Sequence, residues 1–147
     1  MKFICDVMLG KLAKYLRLLG FDAVYAPNRA SLEHYAQNSG DRLFLTRRKE
    51  AIGFPTTLHL TSEKTREQLV EMRDLIRSAI EPGRVLSRCS RCNVELIEVE
   101  RTEIETRVPE FVFHNYVRFK TCPFCRRVYW EGSHAKGMEN LIKEILS

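Results

Sequence analysis

Two CxxC knuckles, CSRC at Cys89 and Cys92 and CPFC at Cys122 and Cys125, constrain this chain more than any other feature. Each presents two thiols on one tight turn, and 29 residues separate the pairs. Four sulfurs converging on one point make the closed tetrahedral shell that a structural Zn²⁺ prefers, with no position left open for a substrate. Such a metal folds its module rather than performing chemistry, because a short, loop-rich segment buries too little apolar surface to fold unaided. Two disulfides, or a thioredoxin-like redox pair, are the alternative uses of the same residues. Matched pairs without a secretory signal favour zinc in a reducing, cytoplasmic setting.

A chain of 147 residues has room for a small α/β domain and an appended module. Asp6 interrupts the short apolar run at the start, and no later stretch approaches the ~20 apolar residues of a membrane-spanning helix, so no membrane partner is expected. The formal net charge of +5 drops to about +3 once four thiolates hold a Zn²⁺. Overall charge is therefore a weak pointer to nucleic acid, and the placement of Lys and Arg has to carry that argument.

Residues 1–83 alternate strand-like and helix-like segments. Phe3 to Cys5 reads as a buried strand, followed by a helix from about Val7 to Leu19 that Gly20 ends. Ala23 to Ala26 is a second strand, Ser31 to Asn38 a helix capped by Ser31, and Arg42 to Thr46 a third strand. Thr56 to Leu60 is a fourth, and Thr61 or Ser62 then caps a long helix to about Ile80. This alternation predicts a mostly parallel sheet with helices on both faces, whose sites form outside the carboxyl ends of its strands. Glu81-Pro82-Gly83 breaks the pattern and places a boundary there. Residues 84–147 read as a ribbon of antiparallel strands, Val94 to Val99 and Phe111 to Phe119, flanked by the knuckles. A last helix from about Gly137 to Leu146 is too apolar to stand in water and is expected to dock back on the sheet.

Three stretches carry a resemblance: FICDVMLGKLAKYLRLLGFDAV, SRCSRCNVEL and CPFCRRVYWEGSH. Together they resemble the successive signatures of the Mut7-C ribonuclease family, a PIN-like domain with a zinc ribbon near its C-terminus. The resemblance implies a PIN-type fold in which carboxylates at the strand ends hold Mg²⁺ or Mn²⁺ for RNA hydrolysis, a reaction suited to paired divalent metals. It carries over only in part. Asp6 matches the acid ending the family's first strand. The next acidic position falls around Asn28 and Arg29, where no carboxylate stands, and the third signature, TRD, is here Thr46-Arg47-Arg48. A cation in place of a ligand repels a divalent metal. Glu33, Asp41 and Glu50 are the nearby acids that could substitute.

Each of these residues also has a plainer reading. Asp6 between strand and helix can cap the helix, serve as a site residue, or do both. Asp22 matches the family pattern yet reads as a turn residue at the start of a strand. Lys11, Lys14 and Arg17 on the first helix suit an ordinary solvated face, and Lys11 and Lys14 are also candidate RNA phosphate contacts. Arg29, Arg47 and Arg48 fall where the fold puts its active-site rim, so they could grip a phosphate directly. In the ribbon, Arg88, Arg91, Arg118, Lys120, Arg126 and Arg127 stand beside Phe119, Phe124, Tyr129 and Trp130, a mixture suited to single-stranded RNA. Tyr129 and Trp130 are more readily explained as packing the ribbon against the sheet. His134 matches the family motif without a derivable role, and Cys5 reads as a core residue. The expected function is RNA binding by a family member with a degenerate ribonuclease site. An active divalent-metal ribonuclease, and a module docking on a protein or ribonucleoprotein partner, stay open.

Overall fold

Phe3, Ile4 and Cys5 are wholly buried, as strands in the middle of a parallel sheet must be. The structure, a computed structural model, describes residues 1–50 and 53–147, the side chains of Ser133 and His134 excepted. β1 (Lys2–Cys5) lies between β2 (Asp22–Tyr25) and β3 (Leu43–Thr46), and β4 (Thr57–His59) follows β3, all parallel. Side chains alternate between faces. Phe3, Cys5 and Leu45 therefore enter a large core under α1 (Gly10–Leu18), α3 (Thr65–Glu71), α4 (Arg73–Ala79) and α6 (Ser133–Leu146). Ile4 and Phe44 enter a smaller core on the opposite face, under α2 (Arg29–Gln37). The α/β sheet with helices on both faces is as the sequence predicts.

Gly20 ends the first helix through the paired bonds of a Schellman turn, Gly20 N–H to Arg17 O at 3.0 Å and Phe21 N–H to Leu16 O at 2.9 Å. Its φ is +96°, and a Cβ there would lie 2.5 Å from the Arg84 carbonyl oxygen. Glycine is thus required both by the left-handed turn and by the closely packed linker.

Several local expectations are corrected. The helix from Val7 begins as a 3₁₀ turn over Val7–Leu9. α2 is capped by Asn28, not Ser31; Ser31 is the third residue of a reciprocal capping box with it. The long helix is interrupted at Met72, which has φ −90° and ψ 5°. Thr61 and Ser62 do not cap it, and instead bond to the carboxylates of Glu71 and Glu67. In the ribbon, β5 (Ile97–Val99), β6 (Phe119–Thr121) and β7 (Val128–Trp130) form an antiparallel sheet. The stretch expected as a strand from Phe111 is α5 (Glu110–Asn115). Pro109 just ahead of it and Glu110 in its first turn are helix-start signals that the alternating Phe-Val-Phe pattern obscured. α6 starts at Ser133, four residues earlier than expected, and docks against α3 and α4 with Met138 and Ile145 buried in the large core. Among the described residues, no helix is long and apolar enough to cross a membrane.

Candidate metal centre and candidate active site

The fold brings the two knuckles together at the end of the ribbon. The Sγ atoms of Cys89, Cys92, Cys122 and Cys125 all lie within 4.8 Å of one another, and those of Cys89 and Cys125 are 3.8 Å apart. A tetrahedron with Zn–S bonds of about 2.3 Å has edges of about 3.8 Å, so the sulfurs fit such an ion. Backbone N–H groups already point at them: Cys92 to Cys89 Sγ at 3.4 Å, and Phe124 and Cys125 to Cys122 Sγ at 3.4 and 3.3 Å. The Tyr129 hydroxyl lies 3.1 Å from Cys89 Sγ. Burial opposes a Cys89 thiolate, yet the Tyr129 hydroxyl and the N–H groups of Cys92 and Arg91 bring its pKa down to about 7. Cys92, by contrast, is pushed up to about 12 by burial and by the sulfurs it faces. Four thiolates so close cannot all be charged without a cation among them. The four cysteines could therefore hold a metal ion such as zinc.

Correction is needed for the two aromatic residues beside this centre. Tyr129 and Trp130 occupy opposite faces of β7, and neither packs the ribbon against the parallel sheet. Trp130 joins the ribbon's own core with Ile104, Val112 and Phe119, while Tyr129 turns to Cys89.

The first knuckle is fastened to the amino end of the parallel sheet. Asn93, at φ 62°, accepts from Ala23 N–H at 3.0 Å and donates its amide to Asp22 Oδ1 at 2.7 Å. Arg42 completes the Asp22 site with a fork of 2.7 and 3.2 Å. Burial would raise the Asp22 pKa, but Arg42 and Asn93 more than offset this and hold the carboxyl below its ordinary range. Arg17, half-buried, donates to Ala23 O at 2.7 Å and to the knuckle carbonyls of Ser90 and Arg91 at 3.0 and 3.3 Å. The roles of Arg17, Asp22 and Asn93 in this latch were not foreseen. The one local signal was an asparagine directly after the knuckle, a residue tolerant of left-handed backbone.

Asp6 lies at the opposite end. The chain leaves β1 toward β2 on one side, and β3 pairs on the other, so the carboxyl end of β1 is where the strand order reverses. Asp6 N–H bonds to Leu45 O at 3.0 Å, extending the ladder by one residue. Its side chain is 4% exposed and accepts three hydrogen bonds. Oδ1 accepts from Val7 N–H at 2.8 Å, capping the 3₁₀ turn. Oδ2 accepts from Thr46 Oγ1 at 2.6 Å and from Arg48 Nε at 2.8 Å. Arg48 N–H bonds in turn to Thr46 Oγ1 at 3.0 Å, closing a network of three side chains. Thr46, wholly buried, is its unforeseen member. Asp6 is thus both cap and strand-end acid, and its cation is Arg48. These residues do not fit a Mg²⁺ or Mn²⁺ ion, because the Asp6 carboxylate is paired with a guanidinium.

The other candidate residues are spread. Arg47 also follows β3; it lies 3.8 Å from Glu63, an acid the sequence did not single out. Arg29 opens α2, exposed, and pairs with Glu33 four residues on at 3.3 Å. Lys11 and Lys14 are exposed on α1. Lys14 lines a groove of about 970 Å³ between α1 and the ribbon, which Arg127 also lines. Arg126 is exposed at the second knuckle with φ 65°. Asp41 precedes β3, at the amino ends of the strands, and so cannot join Asp6 across the sheet. His134 has its side chain outside the described residues. Burial pushes the Cys5 thiol up to about 12, an inert core group.

Comparison with known proteins agrees with the motifs. No match was found among curated proteins or among solved structures. The family model described as the Mut7-C RNAse domain matches residues 1–142 of the 147. This chain belongs to the Mut7-C RNAse domain family.

Proposed function

We propose that this protein binds RNA through a PIN-like domain, residues 1–83, and a zinc ribbon, residues 84–147, and that its ribonuclease site is degenerate. The observation that carries the second point is the closed Asp6–Thr46–Arg48 network. Metal-assisted hydrolysis needs acidic ligands with lone pairs free for the ion, and here the strand-end carboxylate accepts three hydrogen bonds within the chain. Removing the guanidinium would expose a buried charge, so no divalent ion displaces it without cost.

The same guanidinium supports binding. Arg48 spends its Nε on Asp6, makes no other side-chain bond among the described residues, and is 43% exposed. Its terminal N–H groups suit a phosphate, as do those of Arg47 and Arg29 once their exposed acidic partners are displaced. Zinc in the four-sulfur centre holds the ribbon folded and takes no part in chemistry. Free thiols throughout suit a cytoplasmic setting.

The test is incubation of the zinc-loaded protein with labelled RNA in Mn²⁺, beside Asp6→Asn and Arg48→Asp. Binding without cleavage is expected, with Arg48→Asp gaining affinity for Mn²⁺. Wild-type turnover abolished by Asp6→Asn would overturn the degenerate site. Absence of RNA binding would favour a protein-docking module instead.

A further inference from the structure

We infer that the outer tip of the metal centre is a stacking platform for one unpaired base of single-stranded RNA, with Phe124 as the platform and Arg91 and Arg126 as its phosphate contacts. This rests on the RNA-binding reading and locates a contact that Asp6 and Arg48 cannot make, since they lie at the other end of the sheet. Phe124 is 82% exposed, although the loop that carries it is held by several backbone hydrogen bonds. Its own N–H points at Cys122 Sγ, and the loop closes through Cys122 N–H to Arg127 O at 3.0 Å and Arg126 N–H to Cys122 O at 2.9 Å. An aromatic ring held out on a fixed backbone loses little freedom when a base stacks on it.

Charge selects the occupant. Neither loop, SRCSRCN at 87–93 nor KTCPFCRR at 120–127, contains an acid, and together they carry five basic residues. Arg88 turns inward to Asn93 O, and Lys120 stands opposite Glu98 across β5 and β6. Arg91 and Arg126 are exposed and form no ion pair among the described residues. The sulfur cluster ties both loops to one centre, and Arg91, Arg126 and Phe124 each stand next to one of its cysteines, Cys92 or Cys125. An exposed aromatic with cations and no acids suits unpaired nucleotides, where rings take bases and arginines take phosphates. The larger groove beside α1 is a poorer track. Its glutamates, Glu98, Glu100, Glu103 and Glu131, offset its uncommitted cations, whereas the loops of the tip carry no acid and the net charge of about −2 on four thiolates around a Zn²⁺ is matched by Arg91 and Arg126.

The experiment measures binding of a fluorescent 12-nucleotide oligouridylate to the zinc-loaded full chain across a salt series. Zinc content is checked for each variant. Phe124→Ala, at an exposed position, should keep its zinc and weaken binding at least about fivefold, with the salt slope unchanged because stacking displaces no counterions. Phe124→Tyr should restore the affinity. Arg91→Ala with Arg126→Ala should flatten the log–log salt slope by about 1.4. Unchanged affinity in Phe124→Ala, while Arg47→Ala with Arg48→Ala loses it, overturns the tip platform and leaves RNA binding standing. No binding by the wild type overturns both.

Discussion

At one end of the parallel sheet this chain gathers negative groups and leaves the cation to be supplied; at the other it gathers one negative group and supplies the cation itself. The sulfurs of Cys89, Cys92, Cys122 and Cys125 cluster within 4.8 Å with no arginine or lysine hydrogen-bonded to them among the described residues. Their neighbours are backbone N–H groups and the Tyr129 hydroxyl, which support thiolates without neutralising them. Asp6 has Arg48 at 2.8 Å. A single carboxylate is matched by a single guanidinium, whereas four thiolates are matched only by a multivalent, thiophilic ion. The two sites thus differ in kind: the four sulfurs could take a metal ion, whereas the Asp6 carboxylate already faces a cation of its own chain.

The largest expected effect breaks the sulfur end. Structural Zn²⁺ contributes about 10–16 kcal/mol to the folding of zinc-finger peptides, so chelation should strip amide-exchange protection from residues 89–130. α6 should keep its protection, because Met138 and Ile145 are buried in the large core and not in the ribbon. Hydrogen exchange followed by mass spectrometry checks both halves. A metal-free ribbon with full protection would mean that the sulfurs need no cation.

A smaller effect tests the carboxyl end. Removing one partner of a fully buried ion pair costs about 3–5 kcal/mol. Arg48 is 43% exposed, so water compensates in part and Arg48→Ala should cost about 1–3 kcal/mol in urea denaturation. Adding Asp6→Asn should recover some of that loss, because no charge is then left unpaired. If Arg48→Ala alone is neutral, the guanidinium is not the resident cation and the contrast between the two ends fails.

The smallest effect sharpens how the two ends are joined. The carboxyl of Asp22 is held below its ordinary range by Arg42 and Asn93 against the opposing effect of burial. A depressed folded-state pKa gives stability that is present above the unfolded value of about 3.9 and lost as pH falls through the folded value. The stability advantage of wild type over Asp22→Asn should therefore be full at pH 6 and shrink below about pH 4. Thermal denaturation at pH 6 and pH 3 measures it, and an advantage that grows in acid would rule out the latch.

What could be read before folding was whatever depends on local spacing. Alternating strands and helices, the glycine that ends α1, the two knuckles and the strand-end position of Asp6 all follow from periodicity, turn chemistry or motif. A run such as Phe111-Val-Phe was ambiguous, because alternation looks the same in a short helix until burial of one side decides. The sulfur centre was legible for a simple reason: each knuckle already carries half of its ligands on one turn. The Asp6 network was half legible. A missing acid at Arg48 can be read from the sequence, but not that its Nε reaches back 42 residues, or that Thr46 bridges the two. Nor does spacing reveal that Asn93, Asp22 and Arg42 share one site. Local sequence determined the kinds of groups this protein carries. Which of them meet, and hence which charge is already paired, was decided only when parallel pairing set three strand ends side by side.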